Sequence, residues 1–139
     1  FTPGGVESLF ASGLGYPSGL AFDSAGDLFV ANQGLGNGAG YITEITPNGT
    51  ESTFASGLDG PEALAFNNAG DLFETDAGDG IIYEFSPSGS RTTFVSGFNN
   101  PAGLAFQGGA LPVPEPSTVG LFVAGAAALL VCRHWRVSR

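Results

Sequence analysis

The side chains in this sequence that are best suited to chemistry are the oxygen-bearing residues Asn32, Asp76 and Asp79. Asn32 and Asp76 stand at the same place in two copies of a repeated unit, each at the end of an apolar run, and Asp79 follows shortly after. Amide and carboxylate oxygens are hard ligands of the kind that calcium prefers. Asp and Asn at such places also hydrogen-bond to the backbone of turns. Two interpretations therefore stay open, a divalent-cation site and a set of turn-stabilising residues.

Residues 1–118 hold neither of the usual nucleophilic arrangements. The only histidine is His134 and the only cysteine is Cys132, and both lie near the C-terminus. A Ser-His-Asp arrangement needs a histidine beside the serine, and a thiol nucleophile needs a cysteine. The sequence therefore predicts no catalytic residue of these types in its main part. With a single cysteine, no disulfide can form within the chain.

The charge is divided unevenly along the chain. All 13 acidic residues lie in residues 1–118, where Arg91 is the sole basic residue, and the formal net charge of the whole chain is −9. The remaining basic residues are Arg133, Arg136 and Arg139. An acidic surface of this kind repels phosphate backbones, so we expect no nucleic-acid partner. An acidic composition without lysine suits a secreted or surface protein.

The chain repeats itself at an interval of about 40 residues. The segment Phe10-Ala-Ser-Gly-Leu14 returns at 54–58 and, slightly altered, at 94–98. A second segment, Pro17-Ser-Gly-Leu-Ala-Phe22, returns with changes at 61–66 and 101–106. The first full unit is longer than the second, and the additional residues fall in the glycine-rich stretch 34–40. We therefore predict a lengthened loop there.

Each unit predicts four short strands and no helix. The first strand is a short apolar run, which is typical of a strand buried on both faces, and the third and fourth strands alternate polar and apolar residues. Pro and Gly in 46–50 and 86–90 favour hairpin turns between the third and fourth strands. The recurring phenylalanines are predicted to pack between units. The predicted strands are 20–22, 28–31, 41–45 and 51–55 in the first unit, and 64–66, 72–75, 81–85 and 91–95 in the second.

Four strands in about 40 residues are typical of a β-propeller blade. Residues 17–32 resemble the NHL repeat, and similar blades occur in streptogramin-lyase-like and gluconolactonase-like propellers. The resemblance implies an all-β fold in which residues 1–107 form about two full four-stranded blades plus partial ones, as a fragment of a propeller. Because a propeller closes with four to eight blades, we expect further blades upstream. Gluconolactonase-like propellers bind a divalent cation through Glu, Asn and Asp, a role that would fall here to Asn32, Asp76 and Asp79.

The C-terminal part has a different organisation. Residues 108–112 read as a linker, 113–118 hold Pro114, Glu115, Pro116, Ser117 and Thr118, and 119–132 are apolar. As a helix, the apolar stretch would measure about 21 Å against about 30 Å of hydrocarbon. We predict a single membrane helix there, whose flanking arginines snorkel. The basic tail 133–139 would then lie in the cytoplasm, and the acidic part of the chain would lie outside.

This tail is similar to the PEP-CTERM sorting signal of Gram-negative and related bacteria. The resemblance rests on Pro114-Glu115-Pro116, the short span and the arginines that follow it. It implies that exosortase, a membrane enzyme, is a partner. The protein would be exported, anchored transiently in the inner membrane and then placed at the cell surface or outside the cell. The alternative is a plain tail anchor with a proline linker.

Two hypotheses for the function follow. In the first, the blades are a binding or scaffold module without a cofactor, associated with exopolysaccharide or matrix components. In the second, they belong to a metal-dependent lactonase-like or lyase-like enzyme whose active site lies mostly in upstream blades. A Glu, Asn or His that breaks the repeat would favour the enzyme, whereas tight repetition would favour the scaffold.

Overall fold

The computed structural model describes residue 5, residues 7–106 and the backbone of residues 129–130. Every regular element in this part of the chain is a β-strand, so the predicted all-β class is confirmed. The first sheet contains β1 (Pro17–Phe22), β2 (Leu28–Asn32), β3 (Gly40–Ile45) and β4 (Glu51–Leu58). The second sheet contains β5 (Pro61–Phe66), β6 (Leu72–Asp76), β7 (Ile81–Phe85) and β8 (Arg91–Ser96). A short pair joins β9 (Ala105–Phe106) to β10 (Leu129–Leu130).

Each four-stranded sheet is antiparallel, and its strands lie side by side in chain order. The two sheets correspond to the two full units of the sequence repeat, and we call them the first and second blade. The strand predictions are confirmed with small extensions. The largest extensions are of three residues, at β1, β4 and β5. β1 begins at Pro17 because a register irregularity between Pro17 and Leu20 allows pairing to continue as far as Asn32. The second blade has the same irregularity between Pro61 and Leu64.

The Pro-Asn-Gly and Pro-Ser-Gly segments form the predicted hairpin turns. Gly49 and Gly89 both have φ of 82°, a left-handed conformation that glycine adopts without the steric cost of a side chain. In the first turn, the Gly49 N–H donates to the Thr46 carbonyl at 2.8 Å. In the second, the Gly89 N–H donates to the Ser86 carbonyl at 2.8 Å. The local sequence therefore determines these two turns.

The prediction that the first strand of each unit is buried on both faces was wrong. The second strands have this property, since every residue of β2 and β6 is buried. In β1, Leu20 is 61% exposed and Phe22 is 66% exposed, whereas the equivalent Leu64 of β5 is 8% exposed. The first blade packs against β5 and covers Leu64. No described segment covers Leu20 and Phe22 of β1 to that extent.

Aromatic side chains fill the space between successive blades, as predicted. Phe29 packs edge-to-face against Phe54 of its own blade and Phe66 of the next blade, with ring centroids 5.0 Å apart in both pairs. A bulge leaves Phe54 without a cross-strand partner and turns its ring toward the second blade. The arrangement recurs at Phe73, whose ring contacts Phe94 at 5.0 Å and Phe106 at 4.9 Å.

The predicted C-terminal features lie outside the described residues, apart from the two residues of β10. These features are the linker 108–112, the sorting motif 113–118, the membrane helix within 119–132 and the basic tail 133–139. Within the part of the chain that the structure describes, no helix is long and apolar enough to cross a membrane. The membrane helix therefore stays a prediction.

Candidate functional site

The side chain of Asn32 lies buried at the end of β2 and hydrogen-bonds within its own blade. Its Oδ1 accepts a hydrogen bond from the Gly15 N–H at 3.1 Å, in the segment that leads into β1. Its Nδ2 donates to the Val30 carbonyl at 3.0 Å and to the Thr43 hydroxyl at 3.1 Å. These bonds occupy the amide group, so Asn32 joins the entry of the blade to its second and third strands.

Asp76 has the equivalent position at the end of β6, and its carboxylate also accepts hydrogen bonds from backbone N–H groups. Its Oδ2 accepts a hydrogen bond from the Asp59 N–H at 2.8 Å, in the connection between the blades. Its Oδ1 accepts one from the Asp79 N–H at 3.1 Å, in the turn that follows β6. The Asp79 carboxylate itself lies on the exposed side of this turn and accepts from the Tyr83 hydroxyl at 3.4 Å.

The geometry of Asn32 and Asp76 matches the turn-stabilising interpretation. The two residues belong to successive blades. Each accepts a hydrogen bond from a backbone N–H in the segment that leads into its own blade. Among residues 7–106, no group of three or more His, Cys, Asp or Glu side chains is arranged to hold a metal ion. Calcium binding by Asn32, Asp76 and Asp79 therefore stays a prediction.

Glu74 is a buried carboxyl residue that was not among the predicted site residues. It lies in the middle of β6, paired with Leu64 of β5 and Tyr83 of β7, and is fully buried. Neither carboxyl oxygen has a hydrogen-bond partner within the described residues. A buried polar group without a partner is rare and costly, so Glu74 is the strongest local departure from ordinary packing in the blades.

Burial raises the pKa of Glu74 to about 9, from an ordinary value of 4.5. The negative charges of Asp76 and Asp79 contribute to this rise in the pKa of Glu74, whereas the positive charge of Arg91 opposes it. Glu74 is therefore protonated and neutral at neutral pH. Burial also raises the pKa of Asp76, and hydrogen bonds from the Asp59 and Asp79 backbones act in the opposite direction.

Tyr83 pairs with Glu74 across β6 and β7, and Arg91 of β8 contacts the Tyr83 ring. The Arg91 guanidinium stands over the Tyr83 ring at 4.8 Å from its centroid and donates a hydrogen bond to the Gly57 carbonyl of the first blade at 3.2 Å. Burial, followed by the charge of Asp79, raises the pKa of Tyr83. Arg91 thus links the two blades close to the buried carboxyl group.

Comparison of the two repeat units could have identified Glu74 as unusual. The second strands of the two blades read Leu28-Phe-Val-Ala-Asn32 and Leu72-Phe-Glu-Thr-Asp76. Glu74 therefore takes the place of the apolar Val30, as Thr75 takes the place of Ala31. The predicted sorting residues, from Pro114 to Thr118, and the arginines 133, 136 and 139 lie outside the described residues, so the structure adds no geometry for them.

A protein-family model, the PEP-CTERM protein-sorting motif, matches residues 112–136. Residues 112–136 are a PEP-CTERM sorting motif. The motif implies that the protein is exported, anchored transiently in a membrane and processed by an exosortase. Among curated proteins, no sequence matches the chain significantly.

Two solved structures resemble the blades. Virginiamycin B lyase from Staphylococcus aureus matches with a TM-score of 0.54 and 16% identity over 64% of this chain and 30% of the lyase chain. A putative gluconolactonase matches with a TM-score of 0.48 and 20% identity over 60% of this chain and 34% of that protein. This chain thus spans about a third of the length of each. At this identity, the likeness to the lyase shows a propeller-like fold and nothing about activity.

Proposed function

We propose that this protein is an exported binding or scaffold module, built from NHL-like β-propeller blades and delivered by its PEP-CTERM motif to the cell surface or the extracellular space. The match of residues 112–136 to the sorting motif carries the proposal. Exosortase is the processing partner, residues 119–132 are the transient membrane anchor, and exopolysaccharide or another matrix component is the target of the blades.

The hydrogen bonding of the blades supports a role in binding over one in catalysis. Asn32 and Asp76 recur at equivalent positions, and the backbone of each blade uses their polar atoms. Residues 7–106 contain neither histidine nor cysteine. What the blades offer instead is a repeated, strongly acidic surface of the kind that suits attachment.

The experiment that tests the proposal recovers the native protein from the culture medium, the cell surface and the membrane fraction of its source bacterium. The intact mass and the C-terminal peptide of each form are then determined by mass spectrometry. We expect an extracellular form that ends near Pro116. A form found only in the membrane fraction and still ending at Arg139 would refute processing and favour a plain tail anchor.

A variant in which Pro114, Glu115 and Pro116 are all replaced by alanine isolates the role of the motif. We expect this variant to stay in the membrane fraction with its tail intact. Pro47→Ala, in an exposed turn of the first blade, is the matched control and should be processed like the parent chain. Retention of the released form on isolated exopolysaccharide then tests the role of the blades separately from export.

A second candidate function is a lactonase-like or lyase-like enzyme with a divalent cation, whose active site lies mostly in further blades. The observation that favours it is Glu74, a neutral buried carboxyl group that breaks the repeat. Hydrolysis of a simple lactone by the released protein, dependent on calcium and lost in Glu74→Gln, would favour this candidate. Equal and negligible rates for both proteins would remove it.

A further inference from the structure

A cavity of about 310 Å³ opens between the first and second blades. It lies at the end of the sheets opposite to Asn32 and Asp76, beside the turns that join β1 to β2 and β7 to β8. The first blade contributes Phe29, Glu44 and Phe54 to its wall, and the second blade contributes Phe66 and the turn residues 86–89. The two blades thus form this cavity together.

One wall of the cavity is aromatic. Phe29 is buried, and its ring meets those of Phe54 and Phe66 edge-to-face. Phe54 and Phe66 are only partly buried, so parts of both rings border the cavity. The face of an aromatic ring carries a negative electrostatic potential that attracts cations.

The polar lining is acidic. Asp23 and Glu44 supply carboxylates, Thr53, Ser86 and Ser88 supply hydroxyls, and none of the lining residues is basic. Arg91, the one basic residue among residues 7–106, is engaged elsewhere by Tyr83 and Gly57. The Asp23 Oδ1 accepts two N–H groups of its own turn, but no described residue donates a hydrogen bond to the Glu44 carboxylate. Glu44 therefore has an acceptor free for a ligand.

The combination of acidic and aromatic groups recurs in the next blade. Glu44 pairs across the sheet with Phe29, and Glu84 pairs in the same way with Phe73. Phe73 in turn meets Phe94 and Phe106, as Phe29 meets Phe54 and Phe66. A carboxylate paired with a phenylalanine that contacts two further rings is therefore a property of the repeat and not of one position.

We propose that this cavity between blades binds a small organic cation, namely an ammonium group with apolar substituents. The Glu44 carboxylate would neutralise the charge, and the rings of Phe54 and Phe66 would contact the substituents. The inference rests on the proposed binding function, because it names the class of ligand that the blades take. A cationic ligand fits this lining better than a neutral sugar does because two carboxylates and no basic group face the cavity.

The test uses choline and its uncharged isostere 3,3-dimethylbutan-1-ol as probes. Each is titrated into the isotopically labelled full chain in detergent micelles, and backbone amide signals are followed by nuclear magnetic resonance. We expect choline to shift the amides of Glu44, Phe54 and Phe66, with an affinity about tenfold higher than that of the isostere. Equal affinities, absent shifts or shifts confined to other residues would overturn the proposal.

Glu44→Gln keeps the shape of the side chain and removes its charge, so it should weaken choline binding about tenfold and leave binding of the isostere unchanged. Glu51→Gln is the matched control, because Glu51 is exposed on β4 and does not line the cavity. An equal loss in both variants would mean a general charge effect and would refute the site. A neutral oligosaccharide that shifts these amides more strongly than choline would refute the proposed cationic ligand and leave the binding function intact. Failed export, in contrast, would contradict only the proposed function.

Discussion

Glu74 occupies in the second blade the strand position that Val30 occupies in the first. Glu74 pairs with Leu64 across β5 and β6, as Val30 pairs with Leu20 across β1 and β2, and both Glu74 and Val30 are fully buried. A position shaped for an apolar side chain therefore holds a carboxyl group. A buried charge is costly, so burial favours the protonated, neutral form of Glu74 and is the main cause of its pKa of about 9.

Glu74 should make the stability of the fold depend on pH. Its pKa is about 9 in the folded chain and about 4.5 when unfolded. The folded state therefore keeps a proton that the unfolded state releases as pH rises above about 4.5. The contribution is fully present below that pH and is lost progressively up to pH 9, by at most about 1.4 kcal/mol per pH unit. Urea denaturation at a series of pH values measures this slope.

The matched variant for this slope is Glu74→Gln, which has the same shape and does not titrate. We expect its free energy of unfolding to change much less between pH 5 and 9 than that of the parent chain. A slope unchanged in the variant would show that other groups cause the pH dependence.

Glu74→Val should stabilise the fold near pH 8, because valine restores the side chain that the first blade carries here. A buried polar group without a hydrogen-bond partner costs about 1–3 kcal/mol, and an apolar side chain of similar volume removes that cost. Glu84→Val is the control, since Glu84 is half-buried and its replacement should change stability by less than about 1 kcal/mol. Thermal unfolding of the three proteins decides the comparison, and a lower melting temperature for Glu74→Val would contradict the prediction.

Gly19→Ala should destabilise the contact between the first strands of the two blades. A Cβ at Gly19 would stand 2.5 Å from the Glu62 carbonyl oxygen, a backbone atom that cannot move aside freely. Next to it, the Ser18 hydroxyl donates to the Pro61 carbonyl at 2.6 Å, which fixes the close approach. Overpacking of this kind costs about 1–3 kcal/mol. Gly103→Ala, at the equivalent place in the third copy of the repeat, meets no described atom within 4 Å and should be neutral in denaturation measurements.

Asp76→Ala should destabilise the second blade by about 1–3 kcal/mol, because the backbone N–H groups of Asp59 and Asp79 lose their acceptor. If the role of Asp76 is to hold these turns, the loss should be the same in calcium and in a chelator. Calorimetric melting in both conditions tests this. A melting temperature that rises with calcium in the parent chain and not in Asp76→Ala would instead support a cation at Asn32, Asp76 and Asp79.

The strands and turns were predictable because their causes are local. Alternation of side chains along a strand and the pairing of Pro with Gly at 47–49 and 87–89 act within a few residues. The repeat added long-range information, since phenylalanines at equivalent positions must meet equivalent neighbours. For this reason the packing of Phe29 and Phe73 between blades followed from the sequence.

The burial of β1 and the environment of Glu74 were not predictable in this way. An apolar run such as Leu20–Phe22 indicates a surface that can be buried, but the element that covers it is remote in sequence. Likewise, the repeat placed Asn32 and Asp76 at equivalent strand ends without showing which atoms they bind. The docking of the two blades decides the burial of β1, and the path of the chain that leads into each blade decides the hydrogen bonds of Asn32 and Asp76.

The contact between blades through Phe29 and Phe66 is asymmetric. One blade presents Phe29 and Phe54, and the next presents Phe66, so the two touching surfaces are different. Such a contact is heterologous, and its repetition either closes into a ring or continues as an open superhelix. The rotation between neighbours decides which of these forms. A substitution that changes the tilt of the Phe29 and Phe66 rings would therefore act on the symmetry of the whole assembly while each sheet keeps its own fold.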